Sequence, residues 1–402
     1  MIRLIEARNY HCLKDIRQPL DRFHILVGPN GSGKTTFLDA LGFISDLVSK
    51  GLDSAVSSRT GDLTDLMWQH TARQFRLAVE LEIPEVPKAK YEEPWYDTVR
   101  YEVEVGFDEA TREDSILAET VLLQMSDRDA ENTTVLSRTG GRLSAFPEPE
   151  WPRRANVRRG RCAELPVKRC DSALSAPFES YDRPFPVCAQ LSTFLKGSIY
   201  TQVLNSQTMR RPSPPGGAHT FSTDGSNLPW HIVSLIRDHR EQHTDWIKHV
   251  RTAVPDVEDI RTVVRREDGH CYLVVRYKDG VELPSWSVSD GTLRLLALTL
   301  LAYTPNLKGV FLIDEPENGI HPKAIETVFQ SLSSVYDAQV LLATHSPLIV
   351  GLADLSQVLC FTKNEEGATE IVRGDEHRIL RHWKGETSLG TLFAGGVLDA
   401  RL

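Results

Sequence analysis

The stretch Gly28-Pro29-Asn30-Gly31-Ser32-Gly33-Lys34-Thr35-Thr36 fits G-x-x-x-x-G-K-[ST], the spacing of a loop that cradles phosphate groups. Its flanks suit that reading. Phe23-His24-Ile25-Leu26-Val27 is expected to form a buried strand, and Phe37, Leu38, Leu41, Ile44 and Val48 recur at helical spacing after the loop. The glycines let backbone N–H groups curl around a polyphosphate, while the helix turns its positive end toward that anion. Lys34 then reaches the β- and γ-phosphates, and the Thr35 hydroxyl serves as a magnesium ligand. A glycine-rich turn without a ligand is the bland alternative, and the strand before it and the helix after it weigh against that.

A second informative region lies far along the chain. Ser287-Val288-Ser289-Asp290-Gly291-Thr292 precedes Leu293, Leu295, Leu296, Leu298, Leu300 and Leu301, a helix apolar almost all round and therefore buried. Its start offers free N–H groups and a serine hydroxyl, a second anion-binding end. Val310-Phe311-Leu312-Ile313 reads as a buried strand ending in Asp314-Glu315. The first carboxylate can hold magnesium, and the second can position and deprotonate an attacking water. Glu317-Asn318-Gly319-Ile320-His321-Pro322 turns into a helix, and the next strand, Gln339–Ala343, ends at Thr344-His345-Ser346. Each piece alone has structural explanations. Their order along the chain makes the case.

The remaining sequence supplies the setting. A chain of 402 residues can bury a large core and more than one lobe. The net charge of −9 argues against a surface coated for nucleic acid, though not against a local basic groove. No apolar run is long enough to span a membrane or resembles a signal peptide, so a cytoplasmic protein without membrane contact is expected. The six cysteines are scattered without a C-x-x-C pair and read as reduced thiols. Strands are expected at 2–7, 75–83, 101–107 and 116–125, with a hairpin around Gly140-Gly141. Helices are expected at 186–204 and 228–240, and a small meander over 260–283. Arg153, Arg154, Arg158, Arg159, Arg161, Lys168 and Arg169 form a basic stretch, either a contact for phosphates or an acidic partner or a solvated loop. We divide the chain into a lobe with the phosphate loop at 1–85, a β-rich subdomain with a basic insertion at 86–200, and a second lobe at 201–402.

Together these segments resemble the ABC-class ATPases, in the branch that holds SMC proteins, RecF and OLD-type ATPases. Ser289-Asp290-Gly291-Thr292-Leu293-Arg294, Ile313–Pro322 and Ala343-Thr344-His345-Ser346-Pro347 look like the compact ATP-binding proteins often found in bacterial defence operons. The resemblance implies an α/β fold of two lobes, an antiparallel β-lobe and a mixed or parallel sheet flanked by helices. It implies ATP and Mg2+ as cofactors. Gly28, Pro29, Asn30, Gly31, Ser32, Gly33, Lys34, Thr35 and Thr36 would form the nucleotide loop, with Ser289, Asp290 and Gly291 as signature and Asn318 as D-loop. Thr35 and Asp314 would hold the metal, Glu315 would be the base, and His345 would sense the γ-phosphate beside Lys34.

In this class one subunit's signature closes over another's nucleotide, so the resemblance implies an ATP-sandwiched dimer or higher oligomer. The implied role is an ATP-hydrolysing switch acting on a separate effector, such as a nuclease, in antiviral defence. A RecF-like ATPase acting on DNA and a non-hydrolysing ATP-bound scaffold are the alternatives. Ser-Asp-Gly-Thr in place of the transporters' Ser-Gly-Gly-Gln counts against a transporter subunit. Gln69, Gln190 and Gln202 all compete for the glutamine that links nucleotide to lobes, and Asn9 and Tyr10 stand where adenine contacts occur, unless Tyr10 belongs to the core. Residues 351–402 lack Asp-x-Asp, so no nuclease domain is expected here, and 385–396 is either a docking segment or a lid.

Overall fold

A computed structural model describes residues 1–83, 96–124, 132–139, 142–146, 163–164, 167–176, 178, 185–216, 220–383, 385 and 387–399. Its first sheet contains β1 (Ile2–Tyr10), β2 (Leu13–Pro19), β4 (Gln74–Glu82), β5 (Thr98–Asp108), β6 (Glu113–Gln124), β7 (Thr133–Thr139), β8 (Arg142–Ala145) and β9 (Ala163–Glu164). They are antiparallel neighbours in the order β2-β1-β4-β5-β6-β7-β8-β9. Alternation dictates this: Phe75, Leu77, Val79 and Leu81 are all buried. The expected alternation fails at Phe107, which is 48% exposed near the end of β5, beyond the point where a bulge in β6 breaks the β5–β6 register. Thr139 faces Arg142 across the expected hairpin, whose two glycines lie outside the described residues.

The second sheet comprises β3 (Phe23–Val27), β10 (Ile199–Gln202), β14 (Val310–Asp314), β15 (Gln339–Ala343), β16 (Val358–Lys363) and β17 (Thr369–Arg373). Their order is β10-β14-β15-β3-β16-β17, and every pairing but the last is parallel. Side chains alternate between two cores. Leu26, Leu312 and Leu341 pack with the first sheet and with α1 (Lys34–Lys50), α2 (Leu52–Ser57) and α3 (Pro186–Gly197). Ile25, Ile313 and Leu342 face α5 (Leu228–Asp238), α6 (Arg240–Ala253), α7 (Asp290–Leu300), α8 (Pro322–Ser333) and α9 (Pro347–Leu352). Burial on both faces is what continuous apolar strands such as Val310–Ile313 require. A short α4 (Ser206–Met209) follows β10. The expected meander is a third sheet of β11 (Val257–Val264), β12 (Cys271–Tyr277) and β13 (Glu282–Pro284).

Two expected helix ends need correction. The helix expected to run to 204 stops at Gly197, and Ile199–Gln202 is instead the edge strand beside β14. The helix expected to end at 240 stops at Asp238, and α6 follows at once. The 85/86 divide falls between β4 and β5, hydrogen-bonded neighbours, and the 200/201 divide falls inside β10. Arg153, Arg154, Arg158, Arg159 and Arg161 lie outside the described residues, while Arg169 bonds Asp108 at 2.8 Å. Five cysteines are free thiols and Cys162 lies outside the described residues. No described helix is long and apolar enough to cross a membrane. The terminal α10 (Leu389–Ala394) packs on α9 so closely that a Cβ on Gly390 would sit 2.0 Å from the Pro347 carbonyl oxygen.

The two sheets are stitched by one buried side chain. The Gln339 amide, at the start of β15, accepts from the Ile2 N–H at 3.0 Å and donates to the carbonyls of Ile2 and Asp21 at 2.9 and 2.8 Å.

Candidate functional site

The loop between β3 and α1 has a shape only glycine permits at two points. Gly28 adopts φ 145, with its Cβ position 2.2 Å from the Phe361 carbonyl oxygen. Gly33 adopts φ 104, with its Cβ position 2.3 Å from the Thr369 hydroxyl oxygen. The β16–β17 hairpin therefore braces the loop from outside, and Thr369 adds a hydrogen bond to the Ser32 carbonyl at 2.8 Å. Gly33 caps α1 without a side-chain hydrogen bond to that helix start. Lys34 is buried and arches along the inside of the loop, donating to the carbonyls of Gly28 (2.8 Å) and Pro29 (3.0 Å).

Across the end of β15, the loop meets the other half of the site. The Thr35 hydroxyl donates to the Asp314 carboxylate at 2.7 Å, although 279 residues separate them. A hydroxyl and a carboxylate converging beside a phosphate loop form a hard oxygen donor set of the kind magnesium takes alongside phosphate oxygens and water. Next to Asp314, Glu315 lies at φ 49, a left-handed conformation costing about 1–2 kcal/mol for a non-glycine residue. Its N–H is held by the Ala343 carbonyl at 2.8 Å, and its carboxylate accepts from the Asn318 amide. His345 Nε2 stands 3.9 Å from that same carboxylate.

Of the three competing glutamines, Gln202 stands beside the strand-end carboxylates. It ends β10 opposite Ile313 and lines a small cleft with Arg294, Asp314 and Glu315. Both its amide atoms are buried without a protein partner, a costly state unless a ligand or water meets them. Gln69 is exposed and bonds the Glu366 carbonyl at 3.3 Å, and Gln190 lines a cavity with Met1 and Gln339, residues at the starts of β1 and β15. Tyr10 is fully buried against Phe43 and Phe75, with its hydroxyl on Asp39, so it is a core residue.

The signature segment lies elsewhere in the chain's own structure. Ser289 caps α7, its hydroxyl accepting from the Thr292 N–H at 3.2 Å. Asp290 is paired with Arg210 at 2.7 Å, and neither residue bonds to Gly28–Thr36. Two neighbours escaped sequence reasoning. Glu317 accepts from the Thr344 hydroxyl and the His345 N–H, and Arg294 reaches the Asn318 carbonyl at 3.1 Å. Both stand inside the segments that carry the resemblance, Arg294 at the end of Ser289–Arg294 and Glu317 within Ile313–Pro322, yet the sequence assigns neither a role.

Residues 23–351 match the family described as "AAA domain, putative AbiEii toxin, Type IV TA system". The chain belongs to that family. "Retron Vc95 probable ATPase" of Vibrio cholerae serotype O1 biovar El Tor is 29% identical over 122 residues, 27% of this chain and 23% of that protein. The OLD nuclease of Thermus scotoductus is 43% identical over 44 residues, 11% of this chain and 8% of that protein. The matches thus span under a quarter of either relative. Among solved structures, the Smc head bound to the C-winged helix domain of ScpA superposes with TM-score 0.54 at 14% identity, covering 92% of this chain and 96% of that one. A Smc head domain with an extended coiled coil, bound to the C-terminal domain of ScpA derived from Pyrococcus furiosus, gives 0.53 at 12% identity, over 92% and 95%. The fold is that of a Smc head.

Proposed function

We propose that this chain is an ATP-binding and ATP-hydrolysing switch that dimerises around nucleotide and controls a separate effector, such as a nuclease, in bacterial defence. The observation that carries the reading is the 2.7 Å contact between Thr35 and Asp314, which joins the phosphate loop to the strand-end carboxylates. Bound through those two residues, magnesium would neutralise charge on the β- and γ-phosphate oxygens. Lys34 exchanges its loop carbonyls for phosphate oxygens. Glu315, oriented by Asn318, would take the proton of the attacking water, and His345, 3.9 Å from that carboxylate, would bond the γ-phosphate. Ser289 and the start of α7 act on a sister molecule's nucleotide, a reading supported by their making no hydrogen bond to Gly28–Thr36 among the described residues. A scaffold that holds ATP without cleaving it would lack use for the strained Glu315 and its amide partner.

DNA takes second place for a physical reason. On β1, β2, β4 and β5 the arginines are spent on carboxylates: Arg3 on Glu82, Arg8 on Asp15, Arg17 on Glu6, Arg76 on Glu102, and Arg100 on Glu6, Glu80 and Glu102. Such a sheet offers few uncommitted cations to a phosphate backbone.

The deciding experiment is Glu315→Gln, assayed for ATP binding and steady-state phosphate release. Retained binding with turnover reduced by about a hundredfold or more supports the switch. Undiminished turnover overturns the assignment of the base, and no turnover in the parent chain favours the scaffold.

A further inference from the structure

Asp290 is the least explained residue of the signature. It is the first residue of α7, where a carboxylate is favoured by the helix end and competes for it with any other anion. The reading above gives that end to a sister molecule's γ-phosphate, and the present inference rests on it. Two anions brought that close in a closing interface repel each other strongly. A glycine at this place, as in the transporter form, raises no such problem.

Arg210 meets the difficulty directly. It follows α4, on the segment that leaves β10 after Gln202. Its Nε and Nη2 both donate to Asp290 Oδ1, at 3.1 and 2.7 Å, and its Nη1 donates to the Trp286 carbonyl at 2.8 Å. Its own carbonyl accepts the Ser285 hydroxyl at 3.0 Å. The guanidinium is therefore fastened to the main chain before the signature as well as to its carboxylate, and the pair is only partly exposed on the arginine side (26% against 56% for Asp290). The same helix start is pressed onto the turn after Glu315, where a Cβ on Gly291 would lie 2.3 Å from the Gly319 carbonyl oxygen. Asp290 cannot simply swing the whole helix end away from an incoming anion.

We infer that Arg210 is a positioning residue that cancels the Asp290 charge and so lets the Ser289 end of α7 receive a sister molecule's γ-phosphate. It makes this signature's aspartate tolerable, and it does so from the segment that also delivers Gln202 to the Asp314–Glu315 cleft. A merely structural salt bridge would stabilise the fold alike with and without nucleotide. Charge compensation predicts an effect confined to the ATP-joined state and reversible by removing the aspartate's charge.

The test uses the full chain carrying Glu315→Gln, so that ATP is held, with dimerisation followed by sedimentation in MgATP. Arg210→Ala should weaken the ATP-dependent dimer by about ten- to a hundredfold, with ATP affinity of the dilute chain and the melting temperature without nucleotide little changed. Adding Asp290→Asn to Arg210→Ala should return the dimer to within about threefold of the parent. A double variant as weak as Arg210→Ala, or a single variant as strong as the parent, overturns the inference while leaving the switch reading intact. If the parent forms no ATP-dependent dimer, that reading falls and this one falls with it.

Discussion

The Glu317 carboxylate accepts the main-chain N–H of His345 at 3.0 Å, and the same oxygen accepts the Thr344 hydroxyl at 2.6 Å. One side chain thus locks the end of β15 to the turn that carries Glu315 and Asn318. Glu317→Ala would leave those donors unpaired, at a cost of about 1–3 kcal/mol. We expect kcat for ATP to fall about tenfold or more while nucleotide affinity changes little. Parallel nucleotide titration and phosphate release check this, and equal losses in both would assign Glu317 to folding alone.

Gln202 makes a sharper distinction possible. Its amide is buried yet bonds nothing in the protein, so an apolar replacement removes a desolvation cost without removing a contact. Gln202→Leu should keep or raise the melting temperature and lower MgATP turnover. A variant with full turnover would show that the amide does not serve the bound nucleotide.

Two glycines of the phosphate loop should respond differently to the same change. At Gly28 an added methyl meets the Phe361 carbonyl oxygen at 2.2 Å as well as the strain of φ 145. At Gly31, with φ 74, nothing lies within 4 Å. Gly28→Ala should destabilise by roughly 3 kcal/mol or more, and Gly31→Ala by about 1–2 kcal/mol. Denaturant midpoints of the two variants provide the comparison.

His24 should make stability pH-dependent. It is fully buried on β3, Nε2 accepting the Asp21 N–H at 2.8 Å, and burial pushes its imidazole below the usual 6.5. Below pH 6.5 the unfolded chain gains a proton the folded chain refuses. Stability is therefore full above that value and declines as pH falls toward the lowered folded value, by up to about 1.4 kcal/mol per pH unit for one site. His11, His231, His249 and His377 are shifted the same way by burial and add to the slope. Unfolding curves between pH 7.5 and 5.5 should show it, with a shallower decline in His24→Asn.

How far the sequence could be read depended on whether a signal was local. The β3–loop–α1 unit, β14 with Asp314, and β15 with His345 each carry their own periodicity and end residue, and the comparison with Smc heads bears out the fold they imply. Ile199–Gln202 was misread because Val187, Leu191, Phe194 and Ile199 continue a helical spacing, and only pairing with β14 makes the last of these a strand. Helix α6 was missed because Trp246, Ile247 and Val250 alone are buried among many charges. Partners such as Arg210 and Asp290, 80 residues apart, leave no mark on either local sequence.

The Gln339 amide has a consequence for biogenesis. It ties a residue near the amino end to one delivered 337 positions later, and both lie in buried strands. During synthesis β1 can pair with β2 and β4 early, but the Ile2 N–H and carbonyl stay without the Gln339 amide until β15 has been made. The contact that joins the two sheets here is therefore among the last to form.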